Sequence, residues 1–182
     1  MTDIVIPNKN EEEFIEMAEK LGINGLIFAY KNKEDFYNKK TNIQITNALH
    51  CEPKHVQKAK QLGVPSICPA SREAIERGAN YVYGFEQQDV KDHTHYRESG
   101  INQVLCKLAT EKKVQITFSF SSILQSTGQK RAILLGRIMQ NIIFLQKYKT
   151  PIKIASLATN PCEMRAPAEL TAFFKQLGLT HS

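Results

Sequence analysis

Histidine and carboxylate side chains gather in one polar stretch of the chain, residues 86–97. His93 and His95 have the spacing of a paired-histidine metal ligand, and Asp92 adjoins them. This spacing suggests a metal-dependent hydrolase with its site near His93 and His95. Too few further His, Asp or Glu residues follow the other predicted strands to complete such a site. We therefore predict that the protein holds no metal or other cofactor, and keep the hydrolase as the alternative.

Nucleophilic catalysis has no better support in the residue pattern. Ser119-Phe120-Ser121 lacks the flanking glycines of a nucleophile elbow. Neither of the glycine-rich phosphate loops, GxGxxG and GxxxxGK[ST], occurs in the chain. We therefore predict no catalytic residue in this protein.

Cationic side chains are what the predicted loops do offer. The chain has 24 Lys and Arg against 18 Asp and Glu, a formal net charge of +6. Arginine presents a planar fork to a phosphate, and lysine presents a point charge. The pattern fits contact with a phosphate backbone, and a solvated charged rim is the alternative. The basic residues in these loops are Lys31, Lys33, Arg72, Lys91, His95, Arg97 and Arg165.

Short apolar runs alternate with helical patterns along the chain, and these elements must position the loops. Most of the runs are nearly continuous in Val, Ile, Leu and Phe, which is typical of parallel strands buried on both faces. The predicted strands are Asp3–Ile6, Gly25–Tyr30, Asn42–Ala48, Val64–Pro69, Asn80–Phe85, Val114–Phe120 and Pro151–Ala158. The predicted helices are Asn10–Leu21, Pro53–Leu62, Ser71–Arg77, Ser99–Lys112, Gln129–Tyr148 and Ala166–Leu177, with a further turn at Lys33–Asn38.

Four of the predicted helices end with the same signal, a glycine just past the last turn: Gly22, Gly63, Gly78 and Gly178. Regular alternation of strand and helix predicts a parallel sheet with right-handed crossovers. Because no nucleotide-binding loop is present, a barrel is favoured over an open sheet. We predict a TIM-barrel-like α/β fold of about seven strands, in a single domain spanning residues 1–182. Whether the barrel closes without an eighth strand is left open.

The longest predicted helix, Gln129–Tyr148, carries two apolar surfaces. One stripe is predicted to face the core: Ile133, Leu134, Ile138, Ile142 and Leu145. The second surface packs against neighbours or docks a partner: Leu135, Met139, Ile143 and Phe144. The apolar segment is shorter than the ~20 residues that a bilayer requires.

The cysteines and the start of the chain bear on the compartment. Four widely spaced cysteines without a CxxC pair argue against a disulfide scaffold and favour a reducing compartment. The first residues, Met1–Pro7, have neither a basic segment nor a long apolar one. We expect a soluble, cytoplasmic protein without a membrane partner.

Several ordered motifs lie between about residue 90 and residue 178. They are Arg97–Asn102, Val104–Ala109, Glu111-Lys112, Phe118–Ser121, Arg137–Asn141, Lys147–Lys149, Ile154–Ser156 and Glu163–Pro167, with Leu170, Phe173 and Phe174 behind them. In kind and separation these motifs resemble archaeal ribonuclease P protein component 3, the family of the thirty-kilodalton protein subunit of eukaryotic ribonuclease P. Before residue 90 the resemblance is loose.

The resemblance implies a barrel-like α/β fold and a subunit of ribonuclease P, the endoribonuclease that removes the 5′ leader of precursor tRNA. It implies that the RNA performs the phosphodiester chemistry with Mg²⁺, and that the protein alone is non-catalytic. The implied partners are ribonuclease P RNA, protein component 2 in a heterotetramer, other ribonuclease P proteins and precursor tRNA.

The resemblance also implies that Arg97, Lys112, Lys147 and Arg165 are the basic residues important for activity. Together with the loop residues, this makes Arg72, Lys91, His95, Arg97, Lys112, Lys147 and Arg165 the predicted RNA-binding set. For Lys112 and Lys147, RNA contact and salt bridges both remain open.

Overall fold

Seven parallel strands surround a common axis in the computed structural model, which describes residues 2–88, 92 and 97–180. Each strand pairs with the next along the chain, so strand order in the sheet equals strand order in the sequence. The strands are β1 (Thr2–Val5), β2 (Gly25–Tyr30), β3 (Gln44–His50), β4 (Ser66–Pro69), β5 (Tyr81–Tyr83), β6 (Gln115–Ser119) and β7 (Ile152–Ala155). The predicted TIM-barrel-like architecture and its seven strands are confirmed.

The seam between β1 and β7 closes the ring. Backbone hydrogen bonds run from Ile6 N to Ala158 O and from Leu157 N to Ile4 O, each 2.8 Å long. These two bonds lie at the C-terminal ends of the two strands. Nearer the other end, side chains substitute for the ladder: the Asp3 carboxylate accepts from Ser156 N at 2.7 Å, and Lys153 Nζ donates to Thr2 O at 2.6 Å. Within the described residues, seven strands therefore close the ring without an eighth, by a partial backbone seam that side chains complete.

Helices cover the outside of the sheet between successive strands. They are α1 (Glu11–Lys20), α2 (Val56–Gln61), α3 (Arg72–Glu76), α4 (Gln103–Lys112), α5 (Phe120–Gln125), α6 (Gly128–Lys147) and α7 (Pro167–Gln176). Short 3₁₀ turns lie at Lys33–Asp35, Pro53–His55, Phe85–Gln87 and Pro161–Glu163. The six predicted helices are present, and α5 is an addition to them.

Helix α5 begins where the sequence predicts the end of a strand. Ser119 ends β6, and its hydroxyl accepts a hydrogen bond from Ser122 N at 3.2 Å as an N-cap. Phe120 is buried, so it prolongs the apolar run of β6 although its backbone has already turned helical. The prediction that Phe120 belongs to a strand is therefore wrong. A buried apolar residue fits the end of β6 and the start of α5 equally well, so its type does not mark the boundary.

Helix α4 begins later than predicted. Asn102, rather than Ser99, is the N-cap residue, and its Oδ1 accepts from Leu105 N at 3.0 Å. Gly100 interrupts the segment with φ +77°, in the left-handed region that glycine adopts without strain. A β-carbon at Gly100 would lie 2.5 Å from Phe85 O, so this position also requires glycine for close backbone approach.

The core has two layers. Small and medium apolar side chains fill the barrel interior, among them Ile4, Ile27, Ala48, Ile67 and Leu157. A larger layer lies between the sheet and the outer helices. Because the strands are buried on both faces, they appear in the sequence as continuous apolar runs.

Helix α6 buries one face and exposes part of the other. Leu134, Ile138, Ile142 and Leu145 are buried as predicted, while Ile133 is half-buried. Of the second surface, Leu135 and Phe144 pack against the core, whereas Met139 and Ile143 remain 45% and 65% exposed. No helix in the described part of the chain is both long and apolar enough to cross a membrane.

Candidate nucleic-acid interface

An arginine inside α6 anchors the segment that follows β5. Arg137 has a side chain only 7% exposed, and its Nε and Nη2 lie 2.9 and 2.8 Å from Asp92 Oδ1. Its Nη1 donates to Gln88 O at 2.7 Å and to Glu86 O at 3.3 Å. One buried guanidinium therefore attaches both the 3₁₀ turn at Phe85–Gln87 and Asp92 to the long helix.

Asp92 is held as a carboxylate by these contacts. Burial raises the pKa of its carboxyl, but hydrogen bonds from Arg137 and from Glu98 N, with the charges of Arg137 and Arg97, lower it below its ordinary value overall. Glu98 N lies 3.0 Å from Asp92 Oδ1. The carboxylate therefore links α6 to the segment that leads into α4.

Two amides of α6 complete the attachment. Gln140 Nε2 donates to Arg97 O at 2.8 Å and to Ser99 Oγ at 2.9 Å, and Arg97 N donates back to Gln140 Oε1 at 3.3 Å. Asn141, which is fully buried, donates from Nδ2 to Ser99 O at 2.9 Å. Two of the sequence motifs, Arg97–Asn102 and Arg137–Asn141, are thus the two sides of one hydrogen-bonded contact.

The sequence pattern by itself assigns no role to Arg137 or Asn141. The signal that could have identified them is their position: they lie four residues apart on the helix face that otherwise carries Leu134, Ile138 and Ile142. Charged and amide side chains on a core-facing stripe are usually paired, because an unpaired buried polar group is costly.

The Arg97 side chain lies across α6 at Gly136. A β-carbon at Gly136 would fall 2.5 Å from Arg97 Cζ, so only glycine leaves room for the guanidinium there. Arg97 Nη1 is 3.5 Å from Asp92 Oδ2, and the side chain remains 44% exposed. The guanidinium therefore packs on α6 at Gly136 and remains accessible to solvent, as contact with a phosphate requires.

Arg165, in the loop after β7, is held more tightly than Arg97. Its Nη1 donates to Cys162 O at 2.9 Å and to Met164 O at 2.6 Å, and its guanidinium carbon lies 5.6 Å from the centre of the Phe120 ring. Within the described residues its Nε and Nη2 have no hydrogen-bond partner. Arg165 therefore organises its own loop while retaining donors for an external anion.

Lys112 and Lys147 lie at the opposite end of the barrel from Arg97 and Arg165. Each is the last residue of an outer helix, α4 or α6, and these helices run back from the C-terminal ends of the strands. Lys112 Nζ is 3.7 Å from Glu111 Oε1, and Lys147 Nζ lies 5.7 Å from the centre of the Tyr148 ring. The predicted set is therefore spread over both ends of the barrel rather than gathered in one site.

Three residues of the predicted RNA-binding set remain: Arg72, Lys91 and His95. Arg72 begins α3, and its Nε is 2.7 Å from Glu76 Oε1, one helical turn away, which partly neutralises its charge. Lys91 and His95 lie outside the described residues, as does His93 of the alternative hydrolase site. Within the described ranges, no three His, Cys, Asp or Glu side chains are placed to hold a metal ion.

The motifs that form these contacts also match a known protein family. The sequence model of the RNase P subunit p30 family matches residues 91–182, half of the chain. The chain belongs to this family. The p30 match contains both sides of the Arg97–α6 contact and the basic residues Lys112, Lys147 and Arg165.

Two archaeal proteins are among the relatives of this chain. The p30-family chain is 34% identical to ribonuclease P protein component 3 of Methanosarcina mazei over 114 residues, 62% of this chain and 46% of that protein. It is 29% identical to component 3 of Archaeoglobus fulgidus over 118 residues, 64% of this chain and 52% of that protein. The chain thus spans about half the length of these two relatives.

The fold has a counterpart among solved structures. A chain in the cryo-EM structure of archaeal ribonuclease P with mature tRNA superimposes with a TM-score of 0.73. The superposition covers 96% of the p30-family chain and 82% of the other, at 21% sequence identity. At this identity the likeness concerns the fold alone.

Proposed function

We propose that this protein is a subunit of ribonuclease P and helps to remove the 5′ leader of precursor tRNA. The observation that carries the proposal is the match of residues 91–182 to the p30 family, in which the Arg97–α6 contact is contained. The two component 3 relatives support it. Neither the fold nor the comparisons favour the alternative of a metal-dependent hydrolase near His93 and His95.

Within that enzyme the protein has a structural role toward RNA. The catalytic chemistry belongs to the RNA and its Mg²⁺ ions, and the protein binds and stabilises the RNA fold. At one end of the barrel, Arg97 offers an exposed guanidinium and Arg165 a half-buried one with free donors, both for backbone phosphates. Lys112 and Lys147 offer two ammonium groups at the other end, where they contact a separate stretch of RNA.

Component 2 is the protein partner in this proposal, in a heterotetramer that joins the other ribonuclease P proteins and binds precursor tRNA through the complex. Exposed apolar side chains on the adjacent helices α4 and α6 are where we place this contact. Val104 is 58% exposed, and Met139 and Ile143 are exposed on α6. Large exposed apolar side chains that occur together are a feature of protein interfaces.

The free thiols of the four cysteines support a reducing, cytoplasmic compartment.

Reconstitution tests the proposed function directly. Ribonuclease P RNA and component 2 are mixed with or without this protein, and precursor-tRNA cleavage is measured at low Mg²⁺. We expect cleavage to increase when the protein is added. No increase would refute the proposal, and cleavage by the protein without RNA would refute its non-catalytic role.

Two substitutions locate the RNA contact within the same assay. Arg97→Gln and Arg165→Gln should each lower the cleavage rate on the order of tenfold at physiological salt, because each removes a phosphate contact. The matched control is Arg77→Gln, which removes an exposed arginine paired with Glu73 outside this region. Equal rates for all three variants would contradict the assignment, provided that their thermal midpoints agree with that of the wild type.

A third substitution tests the partner surface. Ile143→Lys places a charge on the exposed apolar surface and should abolish co-purification with component 2. Gln129→Lys, at another exposed position of the same helix, is the control and should leave co-purification intact. Retained binding by Ile143→Lys would move the interface elsewhere.

A further inference from the structure

A polar cavity of about 810 Å³ opens at the C-terminal mouth of the barrel. Its walls come from the loop after β1 (Asn8, Lys9), the turn after β2 (Lys31, Asn32) and the loop after β7 (Asn160). The first two segments precede residue 91, so they lie outside the part of the chain that matches the p30 family. In barrels of parallel strands, the loops at this end carry function.

Four polar side chains at this cavity are unengaged. Asn8, Lys9, Lys31 and Asn32 have exposed side chains that form no hydrogen bond or ion pair with any residue in the described ranges. Lys9 has φ +62°, an uncommon backbone conformation for a residue other than glycine. The cavity wall therefore offers two ammonium groups and two amides to an external ligand.

The acidic residues at the cavity balance these lysines in formal charge. Glu11 and Asp35 also line it, and Glu11 Oε1 already accepts a hydrogen bond from Tyr30 Oη at 3.2 Å. That hydrogen bond from a neutral phenol leaves the Glu11 charge in place. Neither carboxylate forms an ion pair with Lys9 or Lys31, so both ammonium groups remain available to an external anion.

Across the mouth, Lys31 neighbours two further polar groups. Tyr30 pairs with Leu49 in the β2–β3 register, so Lys31 lies beside His50 at the next position. His50 Nε2 is 2.8 Å from Tyr83 Oη. Burial, and then the charge of Lys31, lower the pKa of the His50 imidazole, which favours its neutral form at neutral pH.

We propose that the barrel mouth binds one unpaired ribonucleotide of an RNA strand, with its phosphate at Lys9 and Lys31 and its base edge at Asn8 and Asn32. An ammonium group pairs with a phosphate as a point charge, and a carboxamide supplies both a donor and an acceptor to a base edge. Bases splayed out of single-stranded RNA are recognised by such hydrogen bonds.

The size of the cavity favours a nucleotide over a bare phosphate. Pockets for ligands of this class occupy about 300–1,000 Å³, far more than an inorganic anion fills. The choice of RNA rather than a peptide rests on the proposed function, in which the protein works on an RNA. Neither Arg97 nor Arg165 lines this cavity, although Arg165 lies in the same loop after β7 as Asn160.

The test measures binding of a fluorescently labelled single-stranded hexaribonucleotide of mixed sequence by anisotropy, over a series of KCl concentrations. The full chain is compared with a variant carrying Lys9→Gln and Lys31→Gln. We expect the affinity of the variant to fall about tenfold or more. The slope of log K against log[KCl] should flatten by about 0.7, the value for one neutralised phosphate on a single strand.

A control of equal charge change carries Lys20→Gln and Lys58→Gln, two exposed lysines on α1 and α2 that lie outside the cavity. It should retain wild-type affinity and slope. Equal losses in both double variants, or no hexaribonucleotide binding by the wild type, would overturn the proposal. A cavity variant with unchanged RNA affinity but lower activity in the reconstituted enzyme would also overturn it and point to a protein ligand. Failure of the wild type to raise precursor-tRNA cleavage would instead refute the proposed function.

Discussion

Arg137 and Asp92, 45 residues apart in the chain, form an ion pair in which two guanidinium nitrogens converge on one carboxylate oxygen, at 2.8 and 2.9 Å. The arginine is buried and the aspartate is 23% exposed. The pair attaches the segment after β5 to α6 and so fixes the position of Arg97 on that helix. The candidate RNA-binding surface therefore depends on an ion pair that lies within the protein and does not itself contact RNA.

Removing the arginine should be costly. Arg137→Met removes the buried ion pair of Asp92 and the donor to two backbone carbonyls, and we expect the free energy of unfolding to fall by about 3 kcal/mol. Urea denaturation measures this loss. Lys130→Met, at an exposed position of the same helix, should change the free energy of unfolding by less than about 0.5 kcal/mol. Similar losses in the two variants would show that the ion pair adds no stability.

A substitution at Gly136 should separate stability from function. Gly136→Ala would displace the Arg97 guanidinium, while alanine favours the helix by up to about 1 kcal/mol. We expect an unchanged or higher thermal midpoint, with precursor-tRNA cleavage in the reconstituted enzyme reduced to the level of Arg97→Ala. The Gly136→Ala/Arg97→Ala double variant should be no less active than either single variant. Wild-type cleavage by Gly136→Ala would show that the position of the guanidinium is unimportant.

The buried carboxyl of Glu86 should make stability depend on pH. Burial raises its pKa from 4.5 to about 7, only partly opposed by hydrogen bonds from its own backbone and from Gln87. Between these values the unfolded chain has lost the proton that the folded protein keeps. The free energy of unfolding should therefore fall as pH rises from 4.5 to 7, by up to about 3 kcal/mol from this group.

Glu86→Gln should remove that part of the pH dependence. Urea denaturation at pH 5 and pH 8 should show a smaller difference for Glu86→Gln than for the wild type, with the gain in stability at pH 8. Glu16→Gln, on the exposed face of α1, should follow the wild type. A wild-type pH dependence in Glu86→Gln would mean that Glu86 does not titrate in this window.

The side-chain part of the barrel seam depends on Asp3. Its Oδ1 accepts from Ser156 N at 2.7 Å and from Ile4 N at 2.8 Å, in a buried position. Asp3→Ala leaves these donors unpaired and should lower the free energy of unfolding by about 2–4 kcal/mol. Asp3→Asn keeps an acceptor oxygen and should cost less than about 1 kcal/mol.

Hydrogen exchange identifies the site of the Asp3 effect. The Ser156 amide should lose protection in Asp3→Ala and keep it in Thr2→Ser, a control in the same strand. Loss of protection spread evenly over all strands would indicate global destabilisation rather than an opened seam.

Local patterns in the sequence determined most of the architecture. A strand buried on both faces must be a continuous apolar run, and a helix that ends in the left-handed conformation favours glycine, as at Gly63 and Gly78 with φ +68°. These are properties of one segment and its immediate surroundings. They sufficed for the seven strands, the long helix α6 and the barrel. They did not separate β6 from α5, because Phe120 is buried in either element.

Only the tertiary structure decided which distant segments of the chain contact each other. The spacing of the residues does not indicate that the Arg137 guanidinium is buried against Asp92, nor that the Arg97 guanidinium lies over Gly136. Both placements depend on how the segment after β5 packs on α6. Closure of the barrel likewise depends on β1 meeting β7, more than 150 residues later, through Asp3 and Ser156. Periodicity reports how deeply each residue is buried, whereas the partner of a buried polar group is chosen by the packing of the whole chain.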